Sequence, residues 1–297
     1  MDSRLVKGYA SGILSAVAYG TNPLFGKRLF QEGMTPGAVL FYRYFLAALL
    51  LGGYLCLTRQ PLAVSRKRLP ALALAGVLLF FSGLFWFMGF REMHSGIGAT
   101  ILFVYPALVA ATMFLFYGEK CPVRTMAGGL AALGGVALLC LGGEGQVTLR
   151  GVSLVLLSAL SYALYMVELK VSRRLQGLAA GPLTFHAMVF SLPLFFLSML
   201  LAKEGLQGIP SGNAWGNLLG LALLPSFLSY TLLAVSIALV GPTKTAILGA
   251  LEPLTAVVLG ILAFQEPVTW QGALGFLVVI GAMLCVIHQR KGDSSPS

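Results

Sequence analysis

Long apolar runs separated by short polar segments dominate the chain from residue 8 to residue 288. A membrane-spanning helix needs about 20 apolar residues, and runs of that length recur between clusters of Gly, Pro and charged residues. The pattern therefore predicts an all-α polytopic membrane protein with ten transmembrane helices. The predicted spans are 8–29, 36–57, 70–90, 95–117, 124–142, 151–171, 182–202, 214–236, 243–264 and 270–288.

Composition supports this fold class. The 297 residues are 58% hydrophobic and 10% charged, whereas soluble domains carry about 25% charged residues. Such a chain has too few charges to cover a surface in water, which excludes a soluble enzyme, a disordered chain and a free nucleic-acid-binding protein. The predicted connectors are all short, so no extramembrane domain is expected and any chemistry must lie within the membrane.

The net charge of +10 is explained by membrane orientation. Both termini and the loops after even-numbered spans hold 14 Lys and Arg residues, against five in the opposite loops. Basic residues concentrate on the cytoplasmic side of membrane proteins, so both termini are predicted to be cytoplasmic. The longest basic tract is Arg66–Arg68, which is too short to indicate a nucleic-acid partner.

An internal repeat relates the two halves of the chain at a shift of 147 residues. Pro106 then coincides with Pro253, and Glu119 coincides with Glu266. Two glycines of the fifth predicted span likewise coincide with glycines of the tenth. Repeats of this kind are frequent in secondary transporters.

The repeat predicts two domains, 1–145 and 146–297, each with five helices. Because five is odd, the second domain enters the membrane from the opposite side, which makes the pair an inverted repeat. Two inverted halves can exchange inward-open and outward-open shapes around one central site.

Several segments resemble the EamA-type transporters of the drug/metabolite transporter superfamily. They are YGTNPLFGK (19–27), RYFLAALLL (43–51), the GEK and QEP ends of the fourth and ninth spans, GGLAALGGVALL (128–139) and GALGFLVVIGAML (272–284). The resemblance implies a ten-helix carrier of the bacterial inner membrane that exports amino acids or other small metabolites. The aromatic content also resembles the branch that exports aromatic amino acids.

Two charged residues fall inside predicted spans, where charge is costly and marks function or a partner. Arg43 could pair with a substrate carboxylate, snorkel outward, or be neutralised by a neighbouring helix. Glu252 should be protonated or paired. It could bind a substrate ammonium group or couple protons, form an ion pair with Lys244 or Arg43, or remain a shielded neutral acid.

Proline and histidine residues inside spans suggest further roles. Pro106 and Pro253 are repeat-related and are predicted to mark hinges, because proline removes a backbone hydrogen bond. His186 could relay protons, although a neutral histidine bonded to a carbonyl is the simpler interpretation. No cluster of residues at metal-ligand spacing accompanies it, so no metal site is predicted.

Aromatic and hydroxyl side chains recur near the centres of the spans and predict an amphipathic substrate cavity. Simple packing or lipid contact is the alternative for each one. With the two charged residues, the candidate substrate-binding residues are Tyr19, Asn22, Arg43, Phe85, Trp86, Phe103, Tyr105, Tyr162, Tyr165, Ser229, Tyr230 and Glu252.

These observations predict a secondary transporter that exports amphipathic metabolites, amino acids with aromatic or bulky apolar side chains above all, by alternating access. Other metabolites, drugs and nucleoside-like solutes are alternative substrates. An intramembrane enzyme or a channel subunit is the alternative class, but the only aspartates, Asp2 and Asp293, lie in the tails. No catalytic residue and no cofactor are expected. The expected partners are the substrate and the lipid bilayer, with the chain acting as a monomer.

Overall fold

The computed structural model describes residues 3–92, 101–119, 123–140, 148–203, 205–264 and 270–287. Every regular element within these ranges is a helix. The predicted domain boundary at 145/146, the start of the fourth predicted span and Glu266 lie outside them.

Thirteen α-helices follow one another along the described residues. They are α1 (Ser3–Tyr19), α2 (Asn22–Gln31), α3 (Pro36–Leu57), α4 (Leu69–Glu92), α5 (Tyr105–Tyr117), α6 (Val123–Cys140), α7 (Leu149–Val171), α8 (Ala180–Leu201), α9 (Gly212–Leu221), α10 (Ser229–Val240), α11 (Pro242–Leu248), α12 (Leu251–Phe264) and α13 (Trp270–Ile287). A π-helical turn, Ala222–Leu228, joins α9 to α10 without a break.

Six helices in the described ranges are long and apolar enough to cross a membrane, which makes the protein a multi-pass membrane protein. They are Pro36–Leu57, Arg66–Gly89, Leu149–Val171, Ala180–Leu201, Gly212–Val240 and Pro242–Ala263, the last with a turn inside it. Shorter apolar helices occupy Tyr105–Tyr117, Met126–Gly135 and Ala273–Ala282.

Helix ends follow local capping signals. The hydroxyl of Thr35 accepts a hydrogen bond from the Ala38 amide at the start of α3, and Ser211 accepts one from the Ala214 amide at the start of α9. Such bonds satisfy backbone donors that the first helical turn leaves free. The second predicted span, 36–57, therefore coincides with α3.

Three predicted spans are interrupted in the structure. The first, predicted as one helix over 8–29, is divided by a turn at Gly20 and Thr21. The ninth is divided at Gly249 and Ala250, and in the fourth a turn precedes α5. Pro23 and Pro106 stand at the second positions of the following helices, where a backbone amide would have no partner within the helix. These two prolines therefore begin helices and do not bend continuous ones.

Close helix contacts depend on small residues. Helix α4 packs against α7 and α8, α1 against α10, and α6 against α13. A Cβ atom added to Gly76 of α4 would lie 2.6 Å from the Cβ atom of Phe190, and one added to Gly89 would lie 2.7 Å from a methyl of Val155. Small residues let membrane helices approach this closely.

The histidine inside the seventh predicted span has a local structural role. The Nδ1 atom of His186 lies 2.7 Å from the carbonyl oxygen of Pro182, one helical turn earlier. This contact agrees with the carbonyl-bonded interpretation, and the ring packs edge-on against Phe185.

Candidate functional site

The three helix interruptions meet in the interior of the protein. A Cβ atom added to Gly20 would lie 2.6 Å from the carbonyl oxygen of Glu252, so the break in the first span touches the start of α12. A Cβ atom added to Gly249 would overlap the hydroxyl of Tyr105, at the start of α5. Glycine is therefore required sterically where the breaks approach one another.

A small cavity of about 40 Å³ lies at this meeting point and is called the central cavity below. One water molecule needs about 10–15 Å³ on this measure, so the cavity in this conformation holds a few waters at most. Ten of its lining residues belong to the three interrupted spans, and the eleventh is Trp86. The lining residues are Tyr19, Gly20, Asn22, Pro23, Trp86, Leu102, Phe103, Tyr105, Glu252, Pro253 and Ala256.

The repeat-related residues Tyr105 and Glu252 contact each other in the cavity wall. The Tyr105 hydroxyl donates to Oε1 of Glu252 over 3.4 Å, and both side chains are buried. Among the described residues, neither Arg43 nor Lys244 pairs with this carboxylate, so the ion-pair alternative for Glu252 was wrong. The guanidinium of Arg43 is bonded instead to Ser226, Asn22 and Pro225.

Arg43 is buried, with 1% of its surface exposed, and it does not snorkel outward. Its Nε donates to the hydroxyl of Ser226 over 2.6 Å, Nη1 to Oδ1 of Asn22 over 3.0 Å, and Nη2 to the carbonyl of Pro225 over 3.1 Å. Interrupted backbone within a membrane needs such partners. Arg43 thus ties the π-helical turn to the start of α2 through three uncharged acceptors.

Six tyrosines form a continuous group beside the cavity, called the tyrosine cluster. The rings of Tyr105 and Tyr162 meet edge-to-face at 4.8 Å, and the hydroxyls of Tyr44 and Tyr230 lie 3.1 Å apart. Sequence reasoning missed Tyr44, because no pattern distinguishes it from other aromatic residues of its helix. The cluster comprises Tyr19, Tyr44, Tyr105, Tyr162, Tyr165 and Tyr230.

Six predicted site residues do not line the central cavity. Tyr162, Tyr165 and Tyr230 belong to the tyrosine cluster and Arg43 bonds to Asn22, but Phe85 and Ser229 have neither connection. Phe85 stacks on Phe81 at 5.4 Å, and the Ser229 hydroxyl lies 3.2 Å from that of Ser15, between α10 and α1. Neither lines the central cavity. Their neighbours in sequence, Trp86 and Tyr230, do belong to the site, because successive residues of a helix point about 100° apart.

Asn22 supplies an unused hydrogen-bond donor at the site. Its Oδ1 atom accepts from Arg43, but its buried Nδ2 atom has no partner within the described structure. Buried polar atoms are nearly always satisfied by protein, water or a ligand. Because Asn22 lines the central cavity, this amide is a candidate contact for a hydrogen-bond acceptor of a bound solute.

Interrupted membrane helices around a small cavity with a buried carboxylate are typical of membrane transporters, and they define the class to which this protein belongs. The sequence matches the EamA-like transporter family twice, over residues 6–141 and again over 149–288. The chain belongs to this family. Its membership points to a transporter and not to an enzyme.

Relatives of similar length agree with this assignment. The uncharacterized transporter YdfC of Bacillus subtilis is 26% identical over 261 residues, covering 87% of this chain and 84% of the relative. An uncharacterized protein of Pseudomonas aeruginosa, PA1977, is 29% identical over 95% of both chains. A solved crystal structure shares 18% identity with a TM-score of 0.77, covering 94% of this chain and 96% of that one, which shows the same fold.

Proposed function

We propose that this protein is a secondary transporter that exports amino acids with aromatic or bulky apolar side chains across the bacterial inner membrane. The observation that carries the proposal is the central cavity, where three interrupted helices bring together a carboxylate, an unused amide donor and aromatic walls. Sites of this composition bind solutes with an apolar body and a compact polar end.

The polar groups suit the two charges of an amino acid. The carboxylate of Glu252 would bind the ammonium group, a charge-assisted contact stronger than one between neutral groups. The Nδ2 atom of Asn22 would donate to the substrate carboxylate, and the buried guanidinium of Arg43, bonded to Asn22, adds positive charge behind it. Trp86 and Phe103 would contact the apolar body.

The transport mechanism would be alternating access between two inverted five-helix halves, 1–145 and 146–297, with both termini cytoplasmic. Separate family matches in each half support this arrangement. Tyr105 and Glu252, which are repeat-related, each stand just after a helix break. Rotation about these breaks, near Pro106 and Pro253, would open the cavity to one side at a time, because a break lacks hydrogen bonds that hold a continuous helix straight.

Counterflow into liposomes tests the proposal. Purified protein in vesicles loaded with unlabelled L-tyrosine, L-tryptophan or L-leucine should accumulate the same labelled amino acid from outside, and the rate should saturate. A channel gives no such accumulation, because its flux does not require exchange at one site. Absence of counterflow for every aromatic and branched amino acid would reject the amino-acid substrate, and flux that never saturates would reject the carrier.

Replacing Glu252 with Gln tests its binding role. The shape and the contact with Tyr105 are retained, but the negative charge is lost, so we expect the half-saturating concentration to rise about tenfold or more, since hydrogen bonds to charged groups contribute about 1.5–3 kcal/mol. Counterflow should be measured between about pH 5 and 7, where α-amino groups stay charged. Glu168→Gln, at the half-buried end of α7, is the matched control, and an unchanged half-saturating concentration for Glu252→Gln at every pH contradicts the assignment.

A further inference from the structure

Two helices at corresponding places in the sequence repeats pack against each other. Helix α3 covers Pro36–Leu57 and α8 covers Ala180–Leu201, so both have 22 residues and they begin 144 positions apart. The chain leaves them in the same way, because Arg59 and Lys203, each two residues past the helix end, have φ of 54° and 56°. The segments that follow therefore correspond as well. They are called the inner connector and the outer connector, over residues 58–68 and 205–211.

The outer connector is bonded to the other repeat on the face that the basic residues predict to be outside, opposite the termini. Oε1 of Gln207 accepts a hydrogen bond of 2.8 Å from the amide of Thr35, the N-cap residue of α3. The carbonyl of Gln207 accepts one of 2.6 Å from the Tyr42 hydroxyl, and the Ser211 hydroxyl donates to the carboxylate of Glu32. Three polar contacts thus hold the repeats together at this face.

The inner connector reaches the start of α8 in a corresponding way, but with fewer hydrogen bonds. Oε1 of Gln60 would lie 3.5 Å from a Cβ atom added to Gly181, in the first turn of α8. Within the described ranges, the Gln60 side chain has no hydrogen-bond partner. One exposed bond of 3.4 Å, from Nη2 of Arg68 to the carbonyl of Gln176, joins this connector to the segment before α8. The two faces are therefore held unequally.

The start of α8 has backbone donors that Gln60 can satisfy. The first amides of a helix have no partner within it. At α3 the Thr35 hydroxyl accepts from the Ala38 amide, but Ala179, at the N-cap of α8, makes no side-chain cap. A side-chain oxygen that accepts from such amides stabilises a helix start. A small approach of the inner connector to α8 would give the inner face the kind of bond that Gln207 makes at the outer face.

We infer that Gln207 and Gln60 are alternating clasps, of which Gln207 holds the outer face closed in one state and Gln60 holds the inner face closed in the other. The inference rests on the proposed alternating access and deepens it, because it names residues that set which face is open. Inverted repeats exchange their arrangements between the two states of a transporter. A bond made at one face in one state is therefore expected at the other face in the other state.

Each clasp stabilises only the state in which its bond is made. When a face opens, water solvates the separated glutamine and amide, so removing the glutamine leaves the free energy of that open state nearly unchanged. One net hydrogen bond corresponds to about a fivefold change in the ratio of the two states. Replacing the two glutamines one at a time should therefore shift this ratio in opposite directions.

Labelling of a cysteine in the central cavity tests the clasps. Ala256 lines this cavity, and the Ala256→Cys variant is made in a chain whose four native cysteines are replaced by alanine. A membrane-impermeant methanethiosulfonate added to right-side-out vesicles reaches this cysteine only when the outer face is open. Gln207→Ala should raise the labelling rate about fivefold, and Gln60→Ala should lower it about fivefold. The double variant should label at about the original rate, which a misfolded protein would not do.

The control is a third glutamine on the outer face. Gln31 is exposed and lies next to Glu32, so Gln31→Ala should leave the labelling rate unchanged. A Gln207→Ala rate that does not rise, or a Gln60→Ala rate that does not fall, overturns the inference and makes the glutamines permanent links between the repeats.

Failure of the inference differs from failure of the proposed function, because labelling needs no substrate. If the two variants shift the labelling rate in opposite directions but the protein gives no counterflow, the clasps stand and the proposed substrates are rejected. If counterflow saturates but neither variant shifts the labelling rate, the transporter stands and the clasps are rejected.

Discussion

Replacing Gly249 with Ala is expected to lower transport more than about tenfold, because overpacking a tight contact costs about 1–3 kcal/mol. The added methyl group would overlap the Tyr105 hydroxyl that contacts Glu252. The backbone of Gly249 has φ −57° and ψ −13°, which alanine adopts freely. Local helix propensity alone would predict stabilisation by about 1 kcal/mol, so the two effects have opposite signs and the experiment separates them.

A second substitution tests whether overlap with the Tyr105 hydroxyl causes the loss of transport in Gly249→Ala. Tyr105→Phe removes the overlapping hydroxyl, so the double variant Gly249→Ala/Tyr105→Phe should transport at least about threefold faster than Gly249→Ala. Recovery is expected to be partial, because the methyl would remain 2.9 Å from the Ala246 carbonyl. Gly53→Ala, with no atom near the added Cβ, should behave as wild type. Wild-type counterflow in Gly249→Ala, or no recovery in the double variant, contradicts the predicted overlap.

Replacing Arg43 with Met is expected to destabilise the protein by about 3 kcal/mol or more, because each buried acceptor that loses its donor costs about 1–3 kcal/mol. Three acceptors are involved, on Asn22, Pro225 and Ser226. Arg43→Lys should destabilise less but measurably, because one ammonium group lacks the planar array of donors that reaches all three. Thermal unfolding in detergent, followed by size-exclusion chromatography, measures both variants.

The same variants distinguish a structural arginine from a substrate contact. Arg174→Lys, at an exposed position, is the matched control and should melt as wild type does. If Arg43 bound the substrate carboxylate directly, its variants would lose affinity and keep their melting temperature. A melting temperature for Arg43→Lys equal to that of wild type would contradict the role of Arg43 in tying α2 to the π-helical turn.

Much of the helical framework could be predicted from the sequence. The span 36–57 was predicted at both ends, because the length of an apolar run and the Gly, Pro and charged residues that bound it are local properties. The breaks at Gly20 and Gly249 could not be predicted, because each lies within an apolar run that is long enough for one helix. The polar backbone groups and glycines at a break are accommodated by other helices, which hydropathy does not describe.

The candidate site was predicted in part. Most of its aromatic residues were identified because aromatic and hydroxyl side chains recur together near span centres, and the structure places Tyr19, Tyr105 and Tyr162 together. Phe85 was included together with Trp86 although it points away from the cavity. Successive residues of a helix point about 100° apart, and the sequence alone does not show which of the two faces the site. Tyr44 was missed, because a single hydroxyl in an apolar run carries no local signal.

The sequence by itself determined the class of the protein, because the length of apolar runs and the scarcity of charge are sufficient to require a membrane. It also singled out Arg43 and Glu252 as charges that need partners. Only the tertiary structure decided which residues are the partners of Arg43 and Glu252. Tyr105 and Glu252 are 147 residues apart, and Arg43 and Ser226 are 183 apart. Contacts over such distances depend on how each helix is rotated and where it is broken, and packing between helices sets both.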